Sequence, residues 1–103
     1  MAKSTTTILT DTSGTVYADA DAVYDAFTSV IGIIDTANAK IAEAVSTNVC
    51  TINSTLSASG SAVQIDREWS DDSVFNAFRA TLDLDVINSK ADGAGWTIQY
   101  VEA

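Results

Sequence analysis

Seven apolar residues, Val23, Phe27, Val30, Ile34, Ala37, Ile41 and Ala44, recur at spacings of 4, 3, 4, 3, 4 and 3. That rhythm, about 3.5 residues per repeat, belongs to an amphipathic helix and commits one of its faces to a partner surface. Asp19 and Asp21 stand where negative charge favours a helix N-terminus, and Ala20, Ala22, Ala26, Ala39 and Ala42 supply helix propensity between the stripe positions. Gly32 interrupts the stripe at a cost of about 1 kcal/mol relative to Ala, which packing must offset. The spacing therefore predicts one long helix starting at Asp19. Beyond Ala44 the stripe slips by one position and runs on as Val45, Val49, Ile52 and Leu56. A long helix absorbs such a slip by local unwinding. Equally, Cys50, Ile52 and Leu56 fit strand alternation in a Thr-rich stretch, with the helix ending near Val45.

The stretch before the stripe is β-prone: Thr5, Thr6, Thr7 and Thr10 surround Ile8 and Leu9, and Asp11-Thr12-Ser13-Gly14 is a turn signal. Residues 1–18 read either as an edge strand of their own domain or as an arm that adds a strand to a neighbour. After the breaker Ser57-Ala58-Ser59-Gly60-Ser61, the apolar Val63, Ile65 and Trp69 alternate with Gln64, Asp66 and Glu68, which predicts a strand over 62–69. Ser70-Asp71-Asp72 is a cap signal, and Val74, Phe75, Phe78 and Leu82 follow at helical spacing, so a helix is expected from 71 to about 82. A competing pattern alternates Leu82, Leu84 and Val86 with Asp83 and Asp85, as one arm of a hairpin whose other arm is a strand over 96–102 carrying Trp96, Ile98 and Tyr100. The expected fold is α+β: one long N-terminal amphipathic helix and a shorter helix packed on a small antiparallel sheet, with residues 19–103 as a single domain. Trp69 and Trp96 are expected to close the core over the helical stripe.

Composition removes most chemistry. With 103 residues there is room for one domain, and with no His and one Cys the commonest general base, the commonest transition-metal ligand and any intrachain disulfide are absent. Fourteen acidic residues against five basic ones give a net charge of −9, which repels phosphate backbones and anionic lipid surfaces. Direct nucleic-acid binding and membrane binding are therefore not expected. Cys50 has no neighbouring cation in sequence to lower its pKa and reads as an inert thiol. Asp19, Asp21 and Asp25 lack the glycine and glutamate of a calcium loop, and Asp83, Asp85, Asn88 and Asp92 would gather oxygen ligands only in a tight hairpin. Gly93-Ala94-Gly95 is too short to cradle a phosphate. Asp66 and Glu68 share an outward strand face with nothing to bury either carboxylate, so acid–base catalysis by the pair is not expected. No enzyme activity, metal or cofactor is expected.

Ala, Thr and Ser account for 40 of the 103 residues, so small side chains set the packing style. In the start MAKSTTTILTDTSGT, in the Ala/Thr-rich middle through Ala37-Asn38-Ala39-Lys40-Ile41-Ala42-Glu43-Ala44, and in the absence of His and Pro, the chain resembles small virion proteins of tailed bacteriophages. The resemblance implies a capsid decoration, connector or tail component present in many copies. The expected function is non-catalytic structural assembly, with other protein subunits as partners, either in a homo-oligomer or among virion proteins. Contact residues are expected at Ile8 and Leu9 and along Val23, Phe27, Val30, Ile34 and Ile41. The alternative is a small acidic inhibitor that presents Asp66, Glu68, Asp71, Asp72, Asp83 and Asp85 as a mimic of nucleic-acid charge. The start lacks an apolar signal-peptide core, so location in a virion or host cytoplasm is expected.

Overall fold

Gly32 divides the expected long helix into two. In the computed structural model, which describes residues 3–32 and 34–102, α1 (Ala20–Ile31) ends where Gly32 adopts φ 69° and returns its N–H to the Thr28 carbonyl at 3.0 Å. Glycine enters this left-handed conformation without the Cβ penalty, which makes it a helix stop. A second helix, α2 (Asp35–Ser46), begins three residues later with Asp35 in its first turn. The 4–3 spacing survives the break because each helix carries its own stripe: Val23, Phe27 and Ile31 on α1, and Ala37, Ile41 and Ala44 on α2. Ile31 takes the inward position that the continuous stripe gives to Val30, which is 52% exposed.

Four strands, β1 (Lys3–Asp11), β2 (Cys50–Leu56), β3 (Ala62–Trp69) and β4 (Trp96–Glu102), form an antiparallel sheet in the order β2-β3-β1-β4. The pair α1–α2 connects β1 to β2. The pair α3 (Asp72–Arg79) and α4 (Leu84–Gly93) connects β3 to β4. Each crossover skips one strand, the split βαβ plan of ferredoxin-like folds, here with two helices per crossover. The chain is thus α+β as expected, with four short helices among the described residues in place of one long and one shorter helix.

β1 is paired on both sides: Thr7 stands opposite Ile65 on β3 and opposite Tyr100 on β4. The expectation of an arm or edge strand over residues 1–18 is corrected accordingly, while Met1 and Ala2 lie outside the described residues. Thr5, Thr7, Leu9 and Asp11 alternate onto the helix-covered face, and the neighbours on either side satisfy both rows of backbone groups. Residues 50–56 resolve as strand, and 62–69 and 96–102 as the two strands expected there.

The hairpin reading of 82–100 fails because Asp83 caps a helix. Its carboxylate accepts from the Val86 N–H at 3.3 Å, and Ile87 and Ala91, four residues apart, turn inward. Asp19 and Asp71 cap α1 and α3 in the same way. Two apolar clusters fill the space between helices and sheet. One joins Val23, Phe27 and Ile31 to Leu9, Val63, Ile65 and Trp96; the other joins Ala37, Ile41 and Ala44 to Trp69, Phe75 and Phe78. Both tryptophans close the core over the helical stripe, one over each half.

Candidate functional site

Most of the residues expected at contacts belong to the interior. Leu9, Val23, Phe27, Ile34 and Ile41 are each 8% exposed or less, so the sheet and helices of this chain already cover them. That expectation is corrected for these five: a stripe shared between two short helices that lie over their own sheet has no apolar face left over. Val30 is exposed and Ile8 lies half-buried on the side of the sheet without helices.

The sheet ends in two edge strands, β2 and β4; β4 carries Glu102, and the outer edge of β2 is the uncharged one. Residues 51–55 are all exposed, and Ile52 is 45% exposed. Pairing to β3 runs unbroken from Cys50 opposite Trp69 to Leu56 opposite Val63, so no bulge twists the edge away. The strand Cys-Thr-Ile-Asn-Ser-Thr-Leu contains no charge and no proline. Natural edge strands are usually blunted by those devices, because an unblunted edge presents unpaired N–H and C=O groups to any second strand. Val30 and Val45, also exposed, sit on the two helices that pack against β2. The helix-free face mixes polar side chains with Ile8 and the exposed Val101, and on it the Thr6 hydroxyl donates to Asp66 at 2.9 Å and the Gln64 amide donates to the same carboxylate. Cys50 is buried, and that burial pushes its thiol pKa up, in keeping with an inert thiol.

On the opposite, helix-covered face lies a second feature that composition does not announce. Arg67 is 5% exposed, and among the described residues it forms no ion pair; its Nε has no hydrogen-bond partner. Thr5 Oγ1, Thr7 Oγ1 and the Tyr100 hydroxyl, on the same face of neighbouring strands, are buried without partners as well. Thr5 is the direct cross-strand neighbour of Arg67, and Thr7 that of Tyr100. The Arg67 guanidinium lies 6.0 Å from the centre of the Tyr24 ring, whose hydroxyl donates to Asn38 Oδ1. A cation–π contact of this kind contributes about 1–2 kcal/mol, against a desolvation cost of several kcal/mol for a buried ion. Tyr24 and Tyr100 both have raised pKa values, chiefly from burial; for Tyr100 the Glu102 carboxylate adds to the effect. Glu102 is engaged by Arg79 at 2.6 Å, and Arg79 lies over the Tyr100 ring. Thr7, Tyr24, Asn38, Arg67 and Tyr100 share the wall of a cavity of about 50 Å³ with apolar residues of all four helical segments and the sheet. Arg67 was legible in sequence only as the inward position of the Val63, Ile65, Trp69 alternation.

No family model matches the sequence, and no curated protein matches it. A solved structure shares the fold. A hydantoinase/carbamoylase family amidase from Burkholderia ambifaria aligns with a TM-score of 0.53 at 13% identity, over 99% of this chain and 27% of that one. A putative amidohydrolase/peptidase from Burkholderia cenocepacia gives 0.47 at 15% identity, over 99% and 27%. Rv0793 from Mycobacterium tuberculosis gives 0.47 at 8% identity, over 98% and 93%. This chain thus spans about a quarter of the length of the two Burkholderia proteins. At 13% identity the likeness to the Burkholderia ambifaria amidase is one of fold.

Proposed function

We propose that this protein is a non-catalytic structural subunit, repeated in a phage-like particle, whose copies join by antiparallel pairing of their β2 edges. The observation that carries this reading is the uncharged, unbulged, exposed β2 edge. In a chain of net charge −9, two copies repel wherever acidic surfaces meet. The β2 edge is a stretch where backbone groups are unpaired and no carboxylate stands in the strand. A two-fold axis at Asn53 sets Thr51 opposite Thr55 and Ile52 opposite Ser54 of the second copy, extending two four-stranded sheets into one of eight. The alternative of an acidic inhibitor draws less support. Asp71 accepts from Ser73 and Val74, and Asp83 from Val86, so these carboxylates serve as helix caps.

Light scattering across a tenfold concentration range tests the reading. The expected mass is twice 10.8 kDa or a higher multiple. Asn53→Lys, which places two like charges face to face at the axis, is expected to give a folded monomer. A wild-type chain that stays at 10.8 kDa throughout overturns the proposal.

A further inference from the structure

We propose that the cavity walled by Arg67 binds a small monocarboxylate, with the carboxylate on the Arg67 guanidinium and the short hydrocarbon part among the apolar side chains. The polar groups left without partners there are Arg67 Nε, Thr7 Oγ1 and the Tyr100 hydroxyl. A guanidinium can only donate, and both hydroxyls can, so the complement is a group that only accepts. A carboxylate accepts through two oxygens in one plane, which matches the guanidinium fork. One cation within mainly apolar walls suits a monoanion better than a phosphate dianion.

Among the described residues, no acid fills this role. Asp66 and Glu68 flank Arg67 in sequence, but strand alternation sends them to the helix-free face, where Asp66 is held by Thr6. Glu102, opposite Thr5 on the Arg67 face, is bound by Arg79. With fourteen acids to five bases, an arginine without a carboxylate among the described residues is out of keeping with the rest of the molecule. Tyr24, fixed through its hydroxyl to Asn38, lays its ring beside the guanidinium and restricts where it can point. The volume of about 50 Å³ is roughly a third of that of a cavity that takes a six-carbon ring, which limits the ligand to an acid the size of acetate.

The test uses the full chain labelled with ¹⁵N and titrated with sodium acetate, following the Arg67 Nε–H resonance and the melting temperature. Acetamide, and sodium chloride at equal ionic strength, are the comparisons. Acetate is expected to move the Arg67 resonance and raise the melting temperature, while acetamide and chloride do neither. Arg67→Met is expected to weaken acetate binding by at least about tenfold, the loss of a charged hydrogen bond. If Arg67→Met does not fold, Tyr100→Phe and Thr7→Val serve, each expected to weaken binding by roughly three- to tenfold. The proposal is overturned if acetate moves nothing, if chloride or acetamide matches it, or if the substituted chains bind acetate as the wild type does.

Discussion

The Tyr17 hydroxyl donates to Asp11 Oδ2 at 2.6 Å, tying the connection between β1 and α1 to the end of the central strand. The other carboxylate oxygen of Asp11 accepts from the Ser13 N–H at 2.9 Å and the Ser13 hydroxyl at 2.6 Å. Ser13 first, then Tyr17, hold the Asp11 pKa below its ordinary value of 3.8. A depressed carboxyl pKa stabilises the fold at every pH above the unfolded value, and that contribution is lost as pH falls through the folded one. Asp11→Asn is therefore expected to cost about 1 kcal/mol at neutral pH, the charge-assisted part of these bonds. In thermal melts from pH 7 downward, the gap between wild type and variant should hold until about pH 4 and close below it.

Gly32→Ala tests the break between α1 and α2. An added Cβ meets nothing within 4 Å, so the cost is that of holding a non-glycine residue at φ +69°. That amounts to about 1 kcal/mol. Urea unfolding should show a lower midpoint with an unchanged slope, whereas a continuous helix would be stabilised by the same substitution.

Phe78→Ala tests the second core cluster. Phe78 stacks on Trp69 with ring centres 4.8 Å apart and is 2% exposed. Its truncation should cost about 3–5 kcal/mol in denaturant unfolding, because the sheet and α2 together leave little room for collapse.

Edge pairing between two strongly acidic chains should respond to salt. Screening shortens the reach of the repulsion from about 30 Å at 0.01 M to about 8 Å at physiological ionic strength. Association measured by sedimentation is expected to tighten over that range. Association that weakens with added salt would point to ion pairs across the interface in place of an uncharged edge.

Legibility in sequence followed the range of the forces involved. β3 and β4 were readable because each alternates with one face buried, and the caps at Asp19 and Asp71 because a cap acts within three residues. The helix stop at Gly32 was present in sequence but outweighed by a 4–3 rhythm that two short helices preserve across a gap. The segment after Leu82 supported two local patterns, and the choice fell to Asp83 and to the burial of Ile87 and Ala91 against α1 and β4. The central position of β1 was not legible, since its partners are distant and a half-polar Thr-rich strand suits an edge equally well. The Arg67 cavity depends on residues from β1, β3, β4 and the helices together. No local window contains it, and the missing partner of a buried charge becomes visible only in three dimensions.

The place of β1 between β3 and β4 also governs how the molecule reaches its fold. The Thr6 hydroxyl finds Asp66 across 60 residues, and Thr12 finds the Gly95 carbonyl across 83. Helices close on themselves within microseconds, but each ladder of β1 waits for loop closure over most of the chain. Until then the central strand is an open template on both sides, with Thr, Ile and Leu exposed and no proline to guard it. The β2 edge persists in the finished protein, whereas the β1 edges exist only during folding. Synthesis at high local concentration therefore exposes this chain to mispairing at its first strand before its β2 edge has formed.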